Sequence, residues 1–149
     1  MNREKVQKQL AIDEGIKYEI YLDHLGYHTF GIGHLIVEGD FEWDLAVGNP
    51  VTEERVTEAF QQDLDIAISE CKILYDDMWD TYPGEVQEIL VNMMFNLGRP
   101  RLSKFKNMTY HLNCRNWNTA AVEGRDSRWH KQVGNRAERL MKRLENVEI

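Results

Sequence analysis

The chain has 149 residues, 42% of them hydrophobic, and a formal net charge of −7. That length fits one domain, or two lobes sharing a core, and is enough to bury apolar side chains without covalent staples. No run of about 18 apolar residues occurs, which argues against a membrane-spanning helix and stable membrane insertion. Two cysteines, Cys71 and Cys114, are too few for a disulfide framework and match no metal spacing, so they read as separate packed thiols.

The charge is unevenly spread. Residues 1–98 carry 6 basic and 20 acidic side chains, and residues 99–149 carry 12 basic and 5 acidic ones, with the break at Gly98-Arg99-Pro100. Such asymmetry fits a basic surface facing an anionic partner, a cell-wall polymer or a nucleic acid, and equally fits ordinary solvated helix faces. The N-terminal run MNREKVQKQL lacks the apolar core of a signal peptide, so the chain is expected to stay in the cytosol until another agent releases it.

In chain order, residues 3–14 read as a helix capped by Asn2, with Val6, Leu10 and Ala11 on one face and Gly15 as the left-handed stop. Residues 17–37 read as strands. Tyr18, Ile20 and Leu22 alternate with Glu19 and Tyr21, Asp23-His24-Leu25-Gly26 supplies a turn, and Tyr27 to Phe30 return before Gly31-Ile32-Gly33. These glycines permit tight backbone and close approach of a ligand, without forming a phosphate loop. By residue type alone His34 reads as a hydrogen-bonded structural histidine, and His24 and His28 as exposed turn residues. Residues 38–52 form a linker with a short helix from Phe41 to Val47 capped by Asp40, and Thr52 caps the next helix.

The longest periodic stretch runs from 53 to about 75, with Val56, Ala59, Phe60, Leu64, Ala67, Ile68, Cys71 and Leu74 on one side. A turn anchored by Trp79 precedes a helix over 84–97, apolar on most sides and stopped by Gly98. Three shorter basic helices follow, about 103–113, 117–123 after Asn116, and 136–147 after Asn135, with breaks at Gly124 and Gly134. Another short turn begins at Asp126-Ser127-Arg128-Trp129.

The chemistry lies in residues 12–35, IDEGIKYEIYLDHLGYHTFGIGHL. Glu14 ends the first helix, where the negative end of the helix dipole favours a protonated carboxyl, as a proton donor requires. Asp23 opens the turn and Thr29 lies on the returning strand. Two carboxylates facing each other are what glycoside hydrolysis needs, one to protonate the leaving oxygen and one to activate water or attack carbon. In a chain with 25 acidic residues such spacing by itself also fits solvated surface.

The wording of the segment adds to the spacing. DEG followed by Y-x-D-x-x-G-Y-x-T-x-G-I-G-H, with Glu, eight residues, Asp, five residues and Thr, resembles the active-site segment of the phage lysozymes of glycoside hydrolase family 24, the T-even group. Val91 to Gly98, Ala120-Ala121-Val122, Ser127-Arg128-Trp129 and Asn135-Arg136-Ala137 resemble the later segments of that family in order. The net negative charge departs from its strongly basic members, and the region around 38–50 is shorter.

The resemblance implies a lysozyme-like α+β fold: a small lobe with a three-stranded antiparallel sheet, about residues 13–60, and a larger helical lobe, 1–12 and 75–149, joined by the helix 53–75. It implies hydrolysis of the β-1,4 bond between N-acetylmuramic acid and N-acetylglucosamine in peptidoglycan. Glu14 would be the general acid, with Asp23 and Thr29 positioning water. Inversion at the anomeric carbon would set the carboxylates roughly 6.5–9.5 Å apart. Leu35, Phe95, Asn96, Met108 and Glu123 fall at substrate-contact positions. Leu35 and Phe95 keep the family residue type, whereas Asn96, Met108 and Glu123 replace a glutamine, a serine and an asparagine. Asp63 matches the partner of His34, and Arg136 an arginine near the catalytic glutamate. No metal or organic cofactor, no nucleic acid and a monomer are expected, with the chain made as an endolysin in the host cytoplasm and released to the wall, a lytic module of the virion being the alternative setting. Without the family, Phe95, Trp117 and Trp129 read as core and Arg136 as a solvated charge. Two rival expectations are a lytic transglycosylase acting on the same bond without need of Asp23, and a non-enzymatic module binding nucleic acid through residues 99–149.

Overall fold

The structure, a computed structural model, describes residues 1–148. The chain divides into two compact units, one of residues 7–66 and one of residues 1–6 with 67 onward.

The smaller unit holds the sheet. Helix α1 (Arg3–Glu14) is capped by Asn2, whose Oδ1 accepts from Lys5 N at 3.1 Å, and it stops where Gly15 takes φ +75°. Strands β1 (Lys17–Leu22), β2 (His28–Gly31) and β3 (His34–Leu35) follow as an antiparallel sheet in sequence order. The turn between β1 and β2 is tied by Asp23 itself, since Oδ1 accepts from Leu25 N and Tyr27 N, both at 2.9 Å. Such bonds from an aspartate to the backbone two or more residues on are what make it a turn former.

The simple alternation expected for β1 fails in part. Ile20 is buried, but Tyr18 and Leu22 are exposed. The register shifts between Lys17 and Tyr21, and the middle of the strand bonds instead to residues 48–51, through Ile20 N to Asn49 O and Val51 N to Tyr18 O, each 2.9 Å. A strand shared between two partners does not keep one clean face. Leu10, Phe30, Ile36, Val56 and Leu64 are among the other buried apolar residues of this unit.

Asp40 does not cap the short helix after it, which is a 3₁₀ turn over Phe41–Asp44 rather than a helix to Val47. Its carboxylate is taken by other donors: Oδ2 lies 2.9 Å from His34 Nε2 and accepts from Val37 N at 3.0 Å. Thr52 does cap helix α2 (Glu53–Tyr75), accepting from Arg55 N at 3.1 Å. Along α2 the expected stripe is buried, apart from Ile68 and Leu74, which are half-buried.

In the helical unit α3 (Gly84–Leu97) is the most buried element, with Val86, Ile89, Leu90, Val91, Met93 and Met94 enclosed. Each such side chain contributes roughly 1.5–3 kcal/mol by leaving water. Gly98, at φ +78°, ends it. Five helices follow: α4 (Arg99–Leu102), α5 (Lys106–Asn113), α6 (Trp117–Arg125), α7 (Arg128–Val133) and α8 (Asn135–Glu145). The expected helix 103–113 starts later, at Lys106, because Phe105 leaves helical geometry at ψ 58°, and the separate turn of helix α4, with Pro100 in its first turn, was not expected. Asn116 and Ser127 cap α6 and α7 through their side chains. Asn135 instead lies inside α8, which Gly134 precedes at φ +72°.

Gly124 was expected as a break and is a buried residue of α6. A Cβ there would overlap the Met141 sulfur and stand 3.3 Å from that of Met108. The glycine therefore serves the close packing of α6 on α8 and not a chain turn. Both cysteines are free thiols, Cys71 buried and Cys114 exposed.

Candidate active site

Residues 12–35 lie wholly in the smaller unit. Glu14 is half-buried at the end of α1, and its carboxylate rests against the backbone of Gly33. A Cβ at Gly33 would stand 3.1 Å from Glu14 Oε1 and 3.2 Å from its Cδ. Gly33 also holds φ +65°, a conformation in which an L side chain is strained. So this glycine makes room for a carboxylate of its own chain, where the sequence had pointed only to a ligand.

Asp23 is half-buried, with Oδ1 engaged in the turn and Oδ2 outside it. Thr29 is buried, 4% exposed, and its hydroxyl donates to Tyr27 O at 2.9 Å. Its proton is committed, so toward any further partner it can only accept.

The pairing register sets the third side of the site. Tyr21 on β1 lies opposite Thr29 on β2, and Thr29 lies opposite Leu35 on β3. Directly opposed residues project to one face of a sheet, so Tyr21, Thr29 and Leu35 form a row across all three strands. Leu35 is exposed and Tyr21 half-buried. Burial, then the charge of Glu14, then that of Asp23, push the Tyr21 phenol above its ordinary pKa. Both carboxylates therefore act on one phenol. Sequence reasoning missed Tyr21, which sits on the polar side of an apparent alternation. Its position two residues before Asp23 and opposite Thr29 was the available signal.

Behind this face lies a charge network. His34 Nδ1 lies 2.7 Å from Asp63 Oδ2 and Nε2 lies 2.9 Å from Asp40 Oδ2, both within hydrogen-bond distance. Burial pulls the His34 pKa down, but the two carboxylate hydrogen bonds and charges outweigh it, and the value is raised. Asp40 is held below the usual carboxylate range despite burial, by the Val37 amide, His34 and Arg55. Arg55 in turn grips Glu42 with two bonds of 2.8 and 3.0 Å. The pairing of His34 with Asp63 was expected; Asp40 as a second partner and the Arg55–Glu42 pair were not.

The other expected residues belong to the helical unit. Asn96 Oδ1 accepts from Trp129 Nε1 at 2.8 Å. Phe95 is half-buried on α3. Met108 and Glu123 line a cavity of about 520 Å³ together with Phe105, Trp129 and the cations Arg101, Lys104, Lys106 and Arg128. Met108 is only 1% exposed, so it offers a ligand almost no surface and acts as packing at Gly124. Trp117 and Trp129 are buried packing residues. Arg136 donates through Nε to Asn92 Oδ1 at 3.0 Å. Among the described residues no cluster of three or more His, Cys, Asp or Glu side chains is placed to hold a metal ion, and no helix is long and apolar enough to cross a membrane.

A three-stranded antiparallel sheet in one unit, helices in the other, and a helix-end carboxylate and a hairpin carboxylate in the same unit define the lysozyme-like α+β class. The family profile described as phage lysozyme matches residues 11–146, and the chain belongs to that family. It is 33% identical over 89% of its length to the pre-baseplate central spike protein Gp5 of Enterobacteria phage T4, of which it covers 26%. It is 27% identical to probable T4-type lysozyme 2 of Dictyostelium discoideum, with 91% of each chain covered. To the peptidoglycan hydrolase gp36 of Pseudomonas phage phiKMV it is 30% identical over 93% of its length, covering 15% of that protein. The chain thus spans nearly the full length of one of these relatives and a small part of the other two.

Proposed function

We propose that this protein is a peptidoglycan hydrolase, a muramidase that cleaves the β-1,4 bond between N-acetylmuramic acid and N-acetylglucosamine by inversion. The observation that supports the proposal is the arrangement of one segment in a chain of the phage lysozyme family: Glu14 at the end of α1 against Gly33, Asp23 in the turn after β1, and Thr29 in the row with Tyr21 and Leu35. The peptidoglycan hydrolase among its relatives supports the same substrate.

In this reading Glu14, backed by Gly33, gives its proton to the leaving glycosidic oxygen. A water on the opposite side of the sugar donates one hydrogen to Thr29 Oγ1, whose own proton is engaged by Tyr27 O. The other hydrogen goes to Asp23 Oδ2, the oxygen outside the turn. Both hydrogens are then held and a lone pair is left for the anomeric carbon. As that bond forms, Asp23 takes the proton, and the product is a reducing end of inverted configuration. Leu35 extends the same face as an apolar contact for the sugar. The cavity of the helical unit, rimmed by Arg101, Lys104, Lys106 and Arg128, suits the carboxylates of the stem peptide. The biological setting is lysis of the host from within, by a monomer made in the host cytoplasm and released to the wall.

The test is turbidity loss of outer-membrane-stripped bacterial cells by the native chain and by Glu14→Gln, with the released muropeptides weighed. Clearing by the native chain alone, with new reducing ends, is expected. Anhydro-sugar products would move the assignment to a transglycosylase. Failure of the folded native chain to clear cells, together with DNA affinity that falls steeply with salt, would overturn it in favour of a binding module.

A further inference from the structure

We infer that Tyr21 is a further substrate-contacting residue of this site, its hydroxyl placed to hydrogen-bond an oxygen of the sugar whose bond is cut. The inference rests on the hydrolase reading above and adds a residue to it.

Four observations converge on this side chain. The register puts it in the row with Thr29 and Leu35, the face to which the hydrolase reading assigns the water and the sugar. The irregularity in β1 falls between Lys17 and Tyr21, and irregularities of this kind re-aim a side chain beside an active site. The ring itself is held, because Lys17 Nζ lies 4.2 Å from its centroid, a cation–π contact that fixes its position without using the hydroxyl. Finally, Tyr21 is half-buried, yet among the described residues its hydroxyl has no hydrogen-bond partner. The Tyr21 oxygen is not among the polar atoms sealed from solvent without a partner, so it opens to solvent and is free to meet a ligand group. Here the ring is anchored and the polar end is left for something else.

The chemistry of the surroundings says what that is. Both Glu14 and Asp23 act on the phenol. An anionic ligand group would meet the Asp23 carboxylate at this point and be repelled, whereas a neutral sugar hydroxyl or ring oxygen meets no such cost. Because burial and the two negative charges oppose its ionisation, the phenol stays a neutral donor throughout the pH range in which cells are lysed. It can donate to a sugar oxygen and accept from a neighbouring sugar hydroxyl at once.

The experiment is steady-state hydrolysis of a soluble, uncrosslinked muropeptide oligomer by the native chain and by Tyr21→Phe, with thermal melting of both. Phenylalanine keeps the ring and its contact with Lys17 and removes one oxygen. The expected result is a fall in kcat/KM of roughly tenfold, the loss of one hydrogen bond made in the transition state, with the melting temperature unchanged. A fall of less than fivefold overturns the inference and leaves the hydrolase reading intact. A melting temperature lowered by more than about 5 °C, with roughly 2–4 °C per kcal/mol for a chain of this size, also overturns it, because the hydroxyl would then be structural. A native chain that leaves the oligomer uncut overturns both.

Discussion

Replacing Asp63 by asparagine tests the charge network beneath the reactive face. The substitution keeps the size of the side chain and one acceptor oxygen, and removes the charge facing His34 Nδ1 at 2.7 Å. A hydrogen bond to a charged partner contributes about 1.5–3 kcal/mol. The side chains of His34 and Asp63 are 10% and 23% exposed, so solvent screens the pair only in part, and Asp40 still holds the other ring nitrogen. A loss of about 2 kcal/mol is expected, and a melting temperature lower by roughly 4–8 °C. The sign with pH follows from linkage. His34 has its folded pKa raised above the ordinary 6.5. Its contribution is therefore complete below that pH and is lost as pH rises through the folded value. Asp40 is shifted the other way, below 3.8, so its share is present above that pH and lost as pH falls through its folded value. Melting curves by circular dichroism at about pH 5.5 and about pH 10 measure both ends. The native protein and the variant should differ most at the lower pH and converge at the higher. Equal destabilisation at both, or more at the higher, would refute the argument that a protonated His34 is what the carboxylates hold.

Gly33→Ala should lower kcat by about tenfold or more while the fold survives, because a methyl group 3.1 Å from Glu14 Oε1 displaces the acid and a misplacement of about 1 Å can cost as much as 10²-fold; near-native turnover with intact far-ultraviolet dichroism would count against it. Thr29→Ser keeps the acceptor for water and should retain most activity, whereas Thr29→Val should lose roughly 10²-fold, the scale of a lost positioned group, and rates of muropeptide release distinguish the two. Gly124→Ala should destabilise by about 1–3 kcal/mol through overpacking against Met141, read from denaturant midpoints, and a midpoint equal to the native one would show that α6 and α8 can part without cost. Cys71, buried and with its thiol pushed up to about 12, should resist an aromatic disulfide reagent at neutral pH while the exposed Cys114 reacts, so one thiol titrates in the native protein and two after denaturation.

The order and type of most elements were legible in the residues, because local chemistry sets them. Asn2, Thr52, Asn116 and Ser127 cap helices by bonds that span three residues, and Gly15 and Gly98 end them by conformation alone. The stripe of α2 and the apolar α3 follow from helical period. Glu14, Asp23 and Thr29 could be singled out for a different reason, since their spacing is written in one continuous segment. What tertiary structure decided were the partnerships between segments. Asp40 had the spacing of a cap and became the second acceptor of His34, because a buried imidazolium offers it more than a solvated helix end does. Gly124 had the look of a break and became a packing surface, because Met141 arrives from a helix 17 residues on. Met108 stood at a contact position and is enclosed. Tyr21 was one polar residue in an alternating strand until pairing set it beside Thr29 and the field of two carboxylates reached it. Caps, periods and motifs are short-range properties of a chain; register and burial depend on which distant residues arrive, and only the folded protein specifies those.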